Sequence, residues 1–312
     1  MQKTAICMIS FNRPDYLKQC VGSLLTQRNA PDVDWYLFND GWQLTNGQVV
    51  TPKERVLQCV DVFSEAKLPG YKEVHLRPTN YGIARNQWEA FEYLFMVKNY
   101  EQIIIVEDDL VVSMDWMRLT HVLLDQFGNQ KSIATVQASC TGGWHRELVD
   151  KAPYNTSMCI GKPHWWGTGM WRDRWVIIRP TFKEYYDFVK GYVYHVRDHN
   201  AIRQWYRDVW QMNENVTSQD RAKDWSCYKH GMTRAFTRVN RAKYIGVYGV
   251  HANPGNYQAG GYANMTINDM PEDETLNAFD NISEMTISQH LADIASTKEI
   301  FSVSCDGLQN DR

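Results

Sequence analysis

Residues 102–106, Gln-Ile-Ile-Ile-Val, end directly at three consecutive acids, Glu107, Asp108 and Asp109. This mostly β-branched, apolar run predicts a strand that is buried on both faces. Acids at the exit of such a strand lie at the carboxyl edge of a sheet, where open α/β sheets bind their ligands. Three neighbouring carboxylates repel one another unless a cation joins them, and their hard oxygen atoms suit Mg²⁺ or Mn²⁺. The alternative is a solvated acidic turn before the helix predicted over 113–126.

Strands and helices alternate along the first half of the chain. Apolar runs bounded by turn residues predict strands, and apolar residues at helical spacing predict helices. The predicted strands are 4–10, 34–38, 73–76, 102–106 and 133–138, and the predicted helices are 15–25, 56–63, 81–93 and 113–126. This alternation predicts an α/β fold with a parallel, doubly wound sheet over the first ~140 residues.

The second half has a less regular pattern. Residues 141–170 contain clusters of Gly and Trp and are predicted to be loops, and residues 253–270, rich in Gly, Asn and Tyr, are predicted to be a mobile loop. Helices are expected around 182–190, 199–212 and 272–300, with short strands within 234–250.

The composition indicates a globular protein without a membrane-spanning segment. Of the 312 residues 44% are hydrophobic, so the chain is able to bury a substantial core. No run approaches the ~18 apolar residues of a membrane span, and the N-terminus lacks the pattern of a signal peptide. The seven cysteines are odd in number, scattered and free of CxxC pairs, which predicts reduced thiols and a cytoplasmic location.

Charge is divided unevenly along the chain. Residues 1–159 carry 15 Lys and Arg against 18 Asp and Glu, residues 160–250 carry 16 against 8, and residues 251–312 carry 2 against 10, which together give the net charge of −3. The basic block 160–250 also holds much of the tryptophan. Such a segment suits an anionic partner with flat or sugar-like faces. The alternative is that it pairs with the acidic end of the chain inside one fold.

A series of motifs, taken in order, resembles the GT-A glycosyltransferases over about residues 4–251. It is most similar to the branch that contains N-acetylglucosaminyltransferase I, whose metal motif is also Glu-Asp-Asp. The motifs are Asn12-Arg13, Asn39-Asp40-Gly41, residues 80–86, Glu107-Asp108-Asp109, residues 165–171, Lys223-Asp224-Trp225 and residues 244–251. At Lys223 this chain has a lysine where the resembled branch has an acid.

The resemblance implies a nucleotide-sugar donor, a UDP-sugar first of all, and a bound Mn²⁺ or Mg²⁺ that stabilises the diphosphate leaving group. It makes Asp109 a metal ligand, with His251 as a second ligand or a contact to the diphosphate. The other implied donor contacts are Arg13 (base or phosphate), Asp40 (uracil), Arg85 and Asn86 (diphosphate or sugar), Glu107 (transferred sugar), Asp108 (ribose), and Trp166, Gly167 and Gly169 (pocket wall).

An inverting transferase also needs a carboxylate that takes the proton of the attacking hydroxyl. The resemblance assigns this role to Asp224. Asp220 lies four residues earlier and is the second candidate, because residues four apart share one face of a helix. The chain is then expected to divide into a nucleotide-sugar-binding half (1–140), an acceptor-binding and catalytic-base half of the same domain (141–270), and an acidic helical segment (271–312).

Two other function classes stay open. A nucleotidyltransferase also places metal-binding acids on a doubly wound sheet, but usually begins with a Gly-rich basic loop that the segment 10–14 lacks. A non-catalytic sugar- or nucleic-acid-binding module is the third possibility. For a transferase, two acceptors are left open: hydroxymethylated pyrimidines in DNA of the kind that bacteriophages make, and a bacterial surface glycan.

Overall fold

The structure, a computed structural model, describes residues 4–140, 155–249, 252–270 and 276–299, and the backbone of 303–305. The strands are β1 (Thr4–Ser10), β2 (Val33–Asn39), β3 (Lys72–Leu76), β4 (Gln102–Glu107), β5 (Leu110–Val112), β6 (Ile133–Gln137), β7 (Met158–Gly161), β8 (Thr168–Trp171), β9 (Thr233–Thr237), β10 (Ala242–Tyr244) and β11 (Val303–Cys305). The α-helices are α1 (Pro14–Leu25), α2 (Lys53–Glu65), α3 (Gly82–Phe91), α4 (Trp116–Gln126), α5 (Arg172–Val189), α6 (His199–Trp205), α7 (Gln219–Lys229), α8 (Pro254–Ala259) and α9 (Glu284–Thr297).

The apolar strands are covered on both faces, which confirms the α/β, doubly wound prediction. In β4, Ile104 and Val106 join one core cluster, with side chains of α1, α2 and α4. The alternate residues Ile103 and Ile105 join a second cluster, with side chains of α3 and α5. Successive side chains of a strand point to opposite faces, so a run of apolar residues without alternation requires helices on both sides.

Within the described residues the main sheet has nine strands in the order β11-β7-β9-β6-β8-β4-β1-β2-β3. The part formed by β4, β1, β2 and β3 is parallel, as expected for strands joined through helices. Strand β8 lies antiparallel between β4 and β6, where Met170 pairs with Ile103 on one side and Thr135 on the other. The prediction that 141–170 is all loop is therefore wrong for β7 and β8. Each has only four residues, too few to show a period, and long-range pairing defines them.

The segment after β9 returns to the acid edge. Strand β10 pairs antiparallel with β5, the short strand that follows the acids. The Ile245 amide donates to the Asp109 carbonyl at 2.8 Å, which fixes the chain beyond β10 over the acid motif. Part of the segment predicted as a mobile loop, 253–270, forms α8. Asn253 caps this helix through its side chain, and Pro254 stands at the first helical position.

Two further observations bear on the composition. None of the helices in the described part of the chain is long and apolar enough to cross a membrane. Cys159 is disulfide-bonded, so the prediction of reduced thiols is wrong at this position. Cys159 lies in β7, whose pairing with β11 joins segments more than 140 residues apart, and the spacing of cysteines in a sequence does not reveal such a long-range contact.

Candidate active site

The three acids lie at the carboxyl edge of the sheet. Glu107 is the last residue of β4, and Asp108 and Asp109 follow it and are buried. The Asp108 amide donates to the Ile9 carbonyl at 3.1 Å, and the Ser10 hydroxyl donates to Asp108 Oδ2 at 3.2 Å. Both partners belong to β1, the parallel neighbour of β4. These bonds join the ends of the two strands and hold the acids in place.

Arg13, at the start of α1, contacts both aspartates. Its Nη1 lies 2.7 Å from Asp109 Oδ2, and its Nη2 forms a short ion pair with Asp108 Oδ1. Burial disfavours the charged guanidinium, but the two carboxylates outweigh burial and raise the pKa of Arg13. Burial also raises the pKa of Asp109 to about 6, and Arg13 opposes that rise. A positioned cation therefore compensates the acid pair.

The same carboxylates fit a divalent cation. Asp109 Oδ1 is buried and accepts no hydrogen bond, so a hard oxygen ligand is left without a partner. A Cβ at Gly246 would overlap Asp109 Oδ2, which shows how closely the chain after β10 approaches this carboxylate. Within the described ranges, no group of three or more His, Cys, Asp and Glu is arranged to hold a metal. Proteins usually bind Mg²⁺ through one or two carboxylates, and substrate phosphates then complete the coordination of the ion. His251 lies outside the described residues.

Glu107 lies close to charged groups from both halves of the chain. Gln87 Nε2 donates to its Oε1 at 3.4 Å. Burial raises the pKa of Glu107 well above its ordinary value, and the nearby carboxylates of Asp220 and Asp109 raise it further. Asp220 belongs to α7, so this interaction joins the acid edge of β4 to the second half of the chain.

Asp40 follows β2 and organises the loop before α3. Its Oδ1 accepts hydrogen bonds from the Gly41 amide (2.9 Å) and the Tyr81 amide (2.6 Å), and its Oδ2 accepts one from the Gly82 amide (2.9 Å). Burial raises the pKa of Asp40 to about 6, although the three backbone donors favour the charged form. A carboxylate has about four acceptor positions, so three of those of Asp40 are used within the protein.

Arg85 and Asn86 occupy the first turn of α3 but point to different surroundings. Asn86 is buried, accepts a hydrogen bond from Arg77 Nε at 2.8 Å and donates one to the Phe38 carbonyl at 3.0 Å. Arg85 pairs with Glu89 at 2.8 Å, and 34% of its side chain is exposed. Of the two predicted contacts to the donor, only Arg85 has a polar group at the surface.

Asp224 is held inside an ionic cluster of α7 and β9. Its Oδ1 accepts hydrogen bonds from Arg234 Nη1 and Trp165 Nε1, both at 2.9 Å, and Arg221 approaches its Oδ2 at 3.5 Å. Arg234 also stacks over the Trp165 ring, 3.9 Å from its centroid. The side chain of Asp224 is only 7% exposed. Its carboxylate is therefore the counter-ion of a buried arginine.

Asp220, one helical turn before Asp224, is more exposed to solvent. Its side chain is 27% exposed and pairs with Lys223 at 3.0 Å. Its carboxylate lies near Glu107 and raises the pKa of that residue. It also lies near His164, where it opposes the effect of burial, which lowers the pKa of the histidine. Of the two predicted bases, the structure brings Asp220 towards the acid edge and packs Asp224 into the interior.

The Trp-Gly loop forms an aromatic wall. The Trp166 ring stacks on His164 (4.0 Å between centroids) and on Tyr244 (4.4 Å). Gly167 has φ of +63°, a left-handed conformation that favours glycine. Gly169 lies in β8, and a Cβ there would press on α4 at 3.0 Å. Gly167 therefore has a conformational reason, and Gly169 a packing reason, for lacking a side chain.

Sequence reasoning missed two polar side chains of this region and undervalued a third. Arg234 stands in the middle of β9, where every residue is buried, and this position was a signal that a counter-ion lies nearby. Lys223 was noted only as a departure from the resembled motif. Gln87 gave no signal, because a glutamine in a helix is usually a surface residue.

Comparisons with known proteins matched a family model and several solved structures to this chain. A protein-family model described as the GNT-I family matches residues 1–188. No curated protein matches the chain. Among solved structures, S. aureus TarS in complex with UDP is 10% identical and has a TM-score of 0.41, with 75% of this chain and 57% of that chain covered. Another S. aureus TarS structure is 14% identical and has a TM-score of 0.36, with 57% and 29% covered. The chain spans less than two thirds of either.

Proposed function

This chain belongs to the GNT-I family, and we propose on that premise that it is a metal-dependent, inverting glycosyltransferase. It moves a sugar from a nucleotide-sugar, first of all a UDP-sugar, to an acceptor hydroxyl. The observation that carries the proposal is the meeting of two groups of acids at one sheet edge. Asp108 and Asp109 stand there with Arg13, and Asp220 approaches Glu107 from the second half of the chain.

On the donor side, we assign Asp109 to the divalent cation and Asp108 to the ribose hydroxyls. A bound Mg²⁺ or Mn²⁺ supplies positive charge against the diphosphate that leaves. Arg13 already touches both aspartates, so its planar fork stands where a phosphate oxygen is able to replace a carboxylate oxygen as acceptor. Arg85 reaches the donor from the first turn of α3. Asp40 keeps one acceptor position for the imide N–H of uracil.

On the acceptor side, Asp220 takes the proton of the attacking hydroxyl. A general base has to reach the substrate, and Asp220 is the partly exposed acid of α7. Asp224 serves the fold, because its proton-accepting oxygens are occupied by Arg234, Trp165 and Arg221. Glu107, connected to Lys223 of α7 through Gln87, contacts the transferred sugar between the two sides.

The acceptor is a glycan hydroxyl, and DNA is the second candidate. The basic block 160–250 suits phosphates only if its cations are at the surface. Six of its sixteen Lys and Arg are buried, and several of the others pair with acids of the same chain. The buried cations are Arg174, Arg197, Lys223, Arg234, Arg238 and Arg241. Much of the positive charge of residues 160–250 is therefore buried or paired within the protein and is not free to contact DNA phosphates. This favours a glycan as the acceptor.

A donor screen tests the proposal. Purified protein is incubated with UDP-, GDP- and CMP-sugars, with Mn²⁺ or with EDTA, and both the melting temperature and the release of nucleoside diphosphate are measured. We expect a metal-dependent rise in melting temperature and slow diphosphate release with one UDP-sugar. A nucleotidyltransferase instead releases pyrophosphate from a nucleoside triphosphate, and a binding module releases nothing. A melting temperature that no donor or metal changes contradicts all enzymatic assignments.

The acceptor is tested separately. Duplex DNA that contains 5-hydroxymethylcytosine and a phosphorylated bacterial surface glycan are offered with the active donor. Transfer to the glycan alone supports the proposal. Transfer to the DNA, with binding that weakens steeply as salt increases, would reverse the order of the two acceptors.

A further inference from the structure

Lys223 is the most deeply buried cation near the acid edge. Its side chain is 1% exposed, yet it lies on α7 between the two acids Asp220 and Asp224. Its Nζ donates to Gln87 Oε1 at 2.8 Å and pairs with Asp220 Oδ1 at 3.0 Å. The ammonium also lies 4.1 Å from the centre of the Trp165 ring. A buried ammonium is unfavourable unless its protons are all engaged, and these contacts engage them.

The contact with Gln87 continues to the donor side. Because Gln87 Oε1 accepts from Lys223, its Nε2 is turned away and donates to Glu107 Oε1 at 3.4 Å. The amide therefore has one orientation that satisfies both neighbours. Three contacts in series, Glu107 to Gln87, Gln87 to Lys223 and Lys223 to Asp220, join the end of β4 to the exposed acid of α7. Asp224 takes no part, since Arg234 and Trp165 hold it.

We infer that Lys223 is a positioning residue, which fixes Asp220 directly and Glu107 through Gln87, so that the proton acceptor and the sugar-binding acid keep one relative placement. This inference rests on the proposed function and deepens it. The lysine replaces an acid of the resembled motif, and the geometry gives a reason. With a third carboxylate at this position, Asp220 and Glu107 would have no cation between them.

The test compares Lys223→Met with Lys229→Met, an exposed lysine on the same helix. In the diphosphate-release assay, we expect kcat of Lys223→Met to fall by about 10- to 100-fold, with the donor KM close to that of the wild type. Lys229→Met should match the wild type in both kcat and KM. Gln87→Met breaks the connection on the donor side only, so its kcat should also fall while the donor KM stays in place.

The outcomes separate the inference from the proposed function. If the wild type releases no nucleoside diphosphate from any donor, the proposed function fails. If the wild type is active and both Lys223→Met and Gln87→Met keep its kcat, the inference is wrong. If Lys223→Met does not fold, Gln87→Met decides, since a wild-type kcat in that variant also overturns the inference.

Discussion

Asp220 and Asp224 lie one turn apart on α7, and their conversion to asparagine tests which of the two is the proposed proton acceptor. Asp224→Asn removes the negative charge that compensates Arg234, whose other hydrogen bonds go to carbonyl and hydroxyl oxygens. Breaking a buried ion pair by neutralising one partner costs about 3–5 kcal/mol. At about 2 °C per kcal/mol for a chain of this size, the melting temperature should fall by roughly 6–10 °C.

Asp220→Asn should give the opposite pattern. The Asp220 side chain is 27% exposed and the amide oxygen of asparagine still accepts from Lys223, but this lysine is buried. We therefore expect a loss of stability of about 2 kcal/mol, smaller than that of Asp224→Asn. The amide is unable to accept the proton of the attacking hydroxyl. We therefore expect the rate of transfer to fall by about 10²–10⁴, with donor binding retained.

The assay has two arms and one control. Thermal unfolding followed by circular dichroism reports stability, and diphosphate release with saturating donor and acceptor reports kcat. Asp208→Asn, an exposed acid outside α7, should leave both unchanged. A stable but inactive Asp224→Asn, together with an active Asp220→Asn, would refute the reasoning and return the base to Asp224.

Three other perturbations test the surroundings of the acids. Arg13→Met should lower the free energy of unfolding in EDTA by about 2 kcal/mol. Mn²⁺ should raise the melting temperature of this variant more than that of the wild type. Equal increases in melting temperature would contradict a site shared by Arg13 and the metal ion. In Gly246→Ala, the new Cβ would overlap Asp109 Oδ2 and lie 2.5 Å from the Tyr244 hydroxyl. We therefore expect Mn²⁺ binding, measured by calorimetry, to weaken at least about tenfold. The control Gly191→Ala, whose new methyl group would lie in open space, should bind Mn²⁺ as the wild type does. Burial lowers the pKa of His164 to about 4, so between pH 4 and about 6.5 the unfolded chain binds more protons than the folded one, and stability is lost as pH falls through that window. His164→Gln should therefore flatten the pH dependence of the melting temperature. The matched change at exposed His230 should leave that dependence unchanged.

Much of the first half of the chain was predictable from local sequence. The run 102–106 has no polar alternation, and such a run forms a strand only when helices cover both of its faces. The acids that follow it had to lie at the carboxyl edge of the sheet, because that is where the strand ends. These features are encoded within about ten consecutive residues, so neighbouring residues alone determine them.

The second half of the chain depended on contacts that neighbouring residues do not encode. Strand β8 lies between β4 and β6, and only this pairing brings the Trp-Gly loop to the sheet. The helical spacing made Asp220 a second candidate beside Asp224, since residues four apart share a face. Arg234, which lies on another strand, engages one and leaves the other partly exposed. The sequence by itself determined the sheet, its helices and the edge where the acids lie. The tertiary structure alone decided which carboxylate of α7 is buried as a counter-ion, because desolvation and ion pairing depend on what packs around a side chain.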